Sequence, residues 1–212
     1  AITLLELVND LLDVSKKQAT EASTKTKIDI QKVIIKIIRQ QNSRIVNKNL
    51  NLQTNLSQVF VLAEESSLKR VFANLLSNAI KFTPQSGTIS ISCTEEENQV
   101  KITIKDSGIG IPKDMLPNIF DKYTSASRAG TDGEASTGLG MSIVKELVNL
   151  HDGEIVVDSV EEHGTTFTIT FPGLSNQINK FKTLYNLPTS EEGVKATATC
   201  NIEKARILIA DD

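Results

Sequence analysis

Asn74, Asn78 and Lys81 stand four and then three residues apart in the stretch NLLSNAIKFT, residues 74–83. At 3.6 residues per turn their side chains fall within roughly 60° of arc. Beside them runs a second stripe of Leu68, Val71, Phe72, Leu75, Leu76, Ala79 and Ile80, at the i, i+3, i+4, i+7 spacing of a core-facing helix. A polar stripe next to an apolar one can do chemistry. An amide such as Asn78 offers an oxygen to Mg²⁺, a hard ion that prefers oxygen ligands and keeps several waters. An ammonium one turn further, at Lys81, can neutralise phosphate. Taken singly these residues have plainer readings: an amide bridging to backbone, a solvated surface charge.

Two glycine-rich stretches carry the next signals. DSGIGIP (106–112) directly follows a strand-like run, and Gly108 and Gly110 permit positive φ or close backbone approach. A flat ligand can lie against such a chain, with Asp106 as an acceptor at the pocket edge suited to an exocyclic amine. A plain turn reads equally well from this stretch alone. STGLGMSIVKELV (136–148) sets Gly138 and Gly140 where a helix begins, and free N–H groups at a helix start bind phosphate with help from the helix dipole. A flexible turn and cap is the alternative there. Between the two lies FDKYTSASRAGTDGEAST, polar, small-residue-rich and of a length suited to a lid. No G-x-x-x-x-G-K-[ST] occurs, which excludes a P-loop.

The elements that must position these residues follow from periodicity. Residues 2–18 read as a helix whose Leu4, Val8 and Leu11 keep coiled-coil spacing, widened by Leu5, Leu7 and Leu12. A second helix is expected over 29–46, followed by an Asn-rich loop, a strand at 59–62, and a helix capped by Ser66 or Ser67. Ile89, Ile91 and Cys93, then Val100, Ile102 and Ile104, then Phe167, Ile169 and Phe171 alternate with polar residues, as strands with one wet face do. A helix over 139–150 buries Leu139, Ile143, Val144, Leu147, Val148 and Leu150. The expected fold is a two-layer α/β sandwich over about residues 28–173, a mixed, mostly antiparallel sheet with helices on one face. Residues 174–204 read as a linker, and 205–212 as a short buried strand ending in Asp211 and Asp212.

The totals exclude several classes. Among 212 residues, 39% are hydrophobic and 23% charged, and a net charge of −3 gives no electrostatic reason to expect nucleic acid, whose phosphates are usually met by a basic face. No run approaches the ~18 apolar residues of a membrane span, and no leader pattern opens the chain. Two Cys without metal-like spacing suit a cytosolic chain, Cys93 being a small core hydrophobe. Two His are too few for a histidine-based zinc site.

In this order the motifs resemble the ATP-binding catalytic domain of sensor histidine kinases, within the Bergerat-fold ATPase group. NLLSNAIKFT resembles the N box, DSGIGIP the first glycine box, IFDKY the F box and TGLGMSIVKELV the second glycine box. HDGEIVVDSVEEHGTTFTITFP resembles the closing strands. Upstream, LLELVNDLLDVSKKQA (4–19) is similar to the end of the second helix of a dimerisation and phosphoacceptor hairpin, which places that unit at residues 1–18; downstream, RILIADD is similar to the first strand of a receiver domain. A fragment of a hybrid histidine kinase is implied, cytoplasmic, and compatible with a membrane-tethered parent.

The resemblance implies roles. Asn78 would coordinate Mg²⁺ on the ATP phosphates, Asn74 would position groups near the γ-phosphate, and Lys81 would contact phosphate. Asp106 would accept from the adenine amine, with Gly108, Gly110 and Ile111 shaping the base pocket and Thr165 assisting through its hydroxyl or a water. Phe120 and Tyr123 would anchor the lid; Thr137, Gly138, Leu139 and Gly140 would close over the phosphates. The partners implied are ATP, the phosphoacceptor hairpin of the same or a dimer-partner chain, and a receiver domain. Catalysis would rest on positioning and charge neutralisation.

Two positions depart from the family pattern: Ser136 stands where a further glycine is usual, and no residue matches the phosphoacceptor. His151 and His163 fall at structural or solvent-facing places, so ATP binding without autophosphorylation of the isolated chain is expected, as is weak or no dimerisation. Two other readings compete: a degenerate scaffold that no longer turns over, and an ATPase that hydrolyses. The latter usually carries an acid on the N-box helix, whereas Glu64 and Glu65 precede that helix and position 74 is Asn.

Overall fold

The computed structural model describes residues 25–122, 130–131 and 139–174. The expected helix over 2–18, all but the start of the 174–204 linker, and the 205–212 strand lie outside the described residues. The chain runs β1 (Thr26–Asp29), α1 (Ile30–Asn47), β2 (Asn51–Leu56), β3 (Phe60–Ala63), α2 (Glu65–Phe82), β4 (Thr88–Glu96), β5 (Gln99–Asp106), α3 (Gly140–Leu150), β6 (Glu154–Val160) and β7 (Gly164–Pro172). Five strands form one sheet in the order β2-β4-β5-β7-β6, and β1 pairs with β3 in a small antiparallel ribbon. Only β2 and β4 run parallel; the other pairs of the large sheet are antiparallel. This is the two-layer sandwich that the alternating strands require, with the apolar residues of helices and sheet joined in a single core.

The strands form where alternation demands. Ile89, Ile91 and Cys93 of β4 and Val100, Ile102 and Ile104 of β5 are buried, while Lys101 and Lys105 face water. In α2 all seven residues of the apolar stripe are no more than 3% exposed. Burying one Leu, Ile or Phe contributes about 1.5–3 kcal/mol, so the stripe fixes the rotation of α2 about its own axis. Cys93 is a free, buried thiol pushed up to about 12 by desolvation, in keeping with a core hydrophobe.

Three expectations need correction. The Asn-rich stretch is not a plain loop: residues 51–56 are an edge strand whose Asn51 lies opposite Thr88 and Leu56 opposite Cys93. Its two leucines are only half-buried, so a hydrophobic pattern could not announce it; pairing with β4 holds it. Neither Ser66 nor Ser67 caps α2. Glu64 occupies the N-cap with extended backbone, and both serine hydroxyls donate to its carboxylate, Ser67 at 2.8 Å. Leu150 is 50% exposed rather than buried, because α3 ends there and the next residue, His151, takes the buried place at 1% exposure. Asp29, by contrast, caps α1 through a bond from the Lys32 amide at 3.1 Å.

His151 is structural. Its Nδ1 lies 2.7 Å from the Leu147 carbonyl, and its Nε2 accepts from the Glu64 amide at 3.1 Å. A carbonyl only accepts and an amide only donates, so the ring is the neutral Nδ1–H tautomer. It ties the end of α3 to the first turn of α2. His163 is exposed, its Nδ1 2.9 Å from the Glu161 carbonyl. Replacing His151 by Leu leaves a buried amide and carbonyl without this bridge, and is expected to lower unfolding free energy by about 2–4 kcal/mol. Urea denaturation checks this; a wild-type midpoint would show that the bridge contributes nothing.

Candidate functional site

Helices α2 and α3 meet along the polar stripe. Asn74 donates through Nδ2 to the Arg70 carbonyl at 3.1 Å, one turn back along its own helix. Its Oδ1 faces the start of α3, where a Cβ added to Gly140 would stand 3.1 Å away. Glycine at 140 therefore lets the first turn of α3 approach the amide. Asn78 donates through Nδ2 to the Met141 Sδ at 3.3 Å. A thioether accepts but cannot donate, which orients the amide and turns Oδ1 away from the sulfur. Lys81 is 6% exposed, with its Nζ 5.0 Å above the Phe82 ring. It is not the solvated surface charge that its residue type alone suggests.

At the end of the sheet sits Asp106, 5% exposed. The amides of Gly108 and Thr165 both donate to its Oδ1, at 2.9 and 3.2 Å. Desolvation pushes its pKa up to about 6 against the lowering effect of those two bonds. The loop after Asp106 packs on the last turn of α2, with Ile109 N donating to Phe82 O at 3.1 Å. A Cβ on Gly108 would overlap that same carbonyl and the Asp106 carboxylate, so only glycine permits the approach. Gly110 has φ of 63°, and Ile111 is half-buried with its amide donating to Ser159 Oγ at 2.9 Å.

Thr165 is 7% exposed and directly opposite Asp106 in the β5–β7 ladder. Phe120 packs against the core, with Lys145 Nζ 5.2 Å above its ring. Leu139 is buried just before α3, its carbonyl accepting from Ser142 Oγ at 2.9 Å. Tyr123, Ser136, Thr137 and Gly138 lie outside the described residues.

Three polar residues of this region escaped sequence reasoning. Lys48, 7% exposed, places its ammonium 3.0 Å from Ile80 O, 3.2 Å from Lys81 O and 2.6 Å from Thr131 Oγ1. It caps the negative end of the α2 dipole. Thr131, between the two glycine-rich stretches, also donates its amide to Lys81 O at 3.1 Å. Ser159 is the third. A signal for it existed: it continues the Ile155, Val157 alternation, and so sets a hydroxyl on the inner face of β6.

The donor set suits a hard ion only as a shared ligand. Among the described residues no group of three or more His, Cys, Asp or Glu side chains could hold a metal. Amide oxygens on the polar stripe remain, that of Asn78 among them, the kind of ligand Mg²⁺ takes alongside phosphate and water.

The chain has counterparts among known proteins. Residues 63–175 match the model of the histidine kinase-, DNA gyrase B-, and HSP90-like ATPase family. The chain is 35% identical over 175 residues to the sensor histidine kinase WalK of Bacillus subtilis, covering 80% of this chain and 28% of that protein. It is 36% identical over 176 residues to the hybrid signal transduction histidine kinase L of Dictyostelium discoideum, covering 78% of this chain and 10% of that one. Full-length ShkA in complex with AMPPNP superposes with a TM-score of 0.68 at 26% identity, over 81% of this chain and 36% of that chain. The mycobacterial sensor histidine kinase MprB does so at 0.62 and 25%, over 71% of this chain and 99% of that chain. The chain thus spans less than a third of either curated relative. With more than half of its length matched, it belongs to the histidine kinase-, DNA gyrase B- and HSP90-like ATPase family, and its relatives there are sensor and hybrid histidine kinases.

Proposed function

We propose that this chain is the Mg·ATP-binding catalytic domain of a hybrid sensor histidine kinase, passing the γ-phosphoryl to a histidine on a dimerisation hairpin. The observation that carries the reading is the buried Asp106 carboxylate, whose two hydrogen bonds both land on Oδ1. Oδ2 is thereby available to accept from an exocyclic amine, the role expected for adenine. From that pocket the last turns of α2 lead to the phosphate side, where Lys81 supplies positive charge and the Asn78 oxygen is turned away from Met141. Asn74 sits against the first turn of α3, whose amides suit a phosphate. Bound Mg²⁺ would neutralise charge on the phosphates, with Asn78 as its protein ligand. Phe120 and Tyr123 would anchor the lid, with Thr137, Gly138, Leu139 and Gly140 at its closing end.

Transfer is favoured over hydrolysis. Glu64 accepts from Ser66 and Ser67, and Glu65 is held by Lys69 at 2.5 Å. Both lie at the start of α2, about ten residues and ~15 Å along the axis from Asn74, too far to activate a water there. The nucleophile is then the imidazole of the hairpin, for which residues 1–18 are the candidate stub. Residues 205–212 are read as the opening strand of a receiver. No helix among the described residues is long and apolar enough to cross a membrane.

Calorimetry with Mg·ATP tests the pocket. Wild type is expected to bind, and Asn78→Ala and Asp106→Asn to weaken binding by about 10- to 100-fold, the range for losing a contact to a charged group. A folded wild type that ignores ATP would move the scaffold reading ahead.

Asp106 also makes a prediction of opposite sign for stability. Its folded pKa is raised to about 6, so its stabilising contribution is full below its unfolded value and lost as pH rises through about 6. Asp106→Asn is therefore expected to raise stability near pH 8 by about 1–3 kcal/mol, a gain that vanishes near pH 4. ATP affinity of wild type is expected to fall as pH drops through about 6, because only the carboxylate accepts through both oxygens. Urea titrations across pH check the first and binding isotherms the second; a stability difference independent of pH would refute the assignment to Asp106.

A further inference from the structure

Ser159, Thr165 and Asp106 stand side by side on three adjacent strands. Ser159 is opposite Thr165 in the β6–β7 ladder, and Thr165 is opposite Asp106 in the β7–β5 ladder. All three are less than a tenth exposed. Ser159 Oγ has three neighbours: Gly164 O at 2.8 Å, Ile111 N at 2.9 Å and Thr165 Oγ1 at 3.0 Å.

Counting protons fixes the direction of each bond. A serine hydroxyl has one hydrogen and two lone pairs. The Gly164 carbonyl can only accept, so it takes the Ser159 hydrogen. The Ile111 amide can only donate, so it takes one lone pair. The remaining lone pair faces Thr165, whose hydroxyl must therefore donate to Ser159. The Thr165 hydrogen is spent, and the oxygen presents only lone pairs to anything else that approaches.

We propose that Ser159 is a positioning residue for base selectivity: by holding the Thr165 hydroxyl as an acceptor, it makes this pocket select a 6-amino purine over a 6-oxo purine. The proposal rests on the reading of Asp106 and Thr165 as the base-facing residues, and deepens it. A 6-amino group carries two N–H donors and meets two acceptors, the Asp106 carboxylate and Thr165 Oγ1. A 6-oxo group carries only lone pairs there and is opposed by both. Without Ser159 the Thr165 hydroxyl turns freely and can donate to a 6-oxo oxygen, so that half of the discrimination is lost. The sequence pattern behind this is a hydroxyl at an inward-facing register position of β6.

The test is the ratio of dissociation constants for inosine and adenosine 5′-triphosphates, measured with Mg²⁺ by calorimetry on the whole chain. Ser159→Ala and Thr165→Val are each expected to lower the preference for the adenine nucleotide by about three- to tenfold, the range for one hydrogen bond. The double variant should show no further loss, and Ser159→Thr, which keeps the hydroxyl, should restore the wild-type ratio. A role in packing alone would weaken both nucleotides equally and leave the ratio unchanged, which overturns the proposal. So does a Ser159→Ala effect that persists in the Thr165→Val background. If Ser159→Ala loses its cooperative thermal transition, Ser159→Cys, of similar volume and weak hydrogen bonding, replaces it under the same criteria. A folded wild type that binds neither nucleotide refutes the nucleotide reading itself, and this inference with it.

Discussion

The rotation of α2 about its own axis is the constraint on which the site depends. One stripe of that helix fills the core and the adjoining stripe carries Asn74, Asn78 and Lys81. Because the two stripes belong to one rigid rod, burying the first aims the second. Seven apolar side chains resist any turn of the helix, since each Leu, Ile, Val or Phe among them would forfeit about 1.5–3 kcal/mol on exposure. The polar stripe thus inherits its precision from hydrophobic packing, which is itself non-directional. Both ends of the rod are held as well. His151 bonds the Glu64 amide at the N-terminus, and the Lys48 ammonium bonds the Ile80 and Lys81 carbonyls at the C-terminus.

Several polar groups are buried here, and they are matched. Lys48, Lys81, Thr83, Asp106, Ser142, His151, Ser159 and Thr165 are all less than a tenth exposed. Among the described residues no buried side-chain nitrogen or oxygen lacks a hydrogen-bond partner. Satisfied networks of this kind hold hydroxyls and amides in one orientation, because the low local dielectric penalises every alternative. Asp106 shows the tension most plainly. Desolvation acts against its charge more strongly than its two backbone amides support it, so its ionised form is poised to gain from a donor supplied by a ligand. The stability surrendered by burying that carboxylate is what a site for an amine requires.

The glycines serve this arrangement by removing atoms. At Gly108 the loop rests on the α2 C-terminal carbonyl and the Asp106 carboxylate, and at Gly140 the start of α3 rests on Asn74. At Gly108 a side chain would drive the loop off the helix end, whereas at Gly140 it would stand tight against the Asn74 amide, which would have to give by a few tenths of an ångström. That is a different use of glycine from a flexible hinge, and residue type alone does not tell the two apart.

Much of this was legible in the chain itself. The period of 3.6 in residues 68–81 and of two in residues 89–104 and 167–171 determined three strands, the central helix and the layered fold. The order of the polar stripe and glycine-rich loops identified the family. These features are legible because they are set by residues within a turn or two of one another. What only the tertiary structure decided are relations across long stretches of chain. The weakly apolar strand at 51–56 exists because β4 pairs with it. Lys81 is buried rather than solvated, and Lys48 reaches a helix end more than thirty residues away. His151 finds an amide 87 residues back, and Ser159 directs the proton of Thr165. A polar side chain has several partners of equal chemistry available to it. Which one it takes depends on where folding brings the rest of the chain, and no local pattern encodes that.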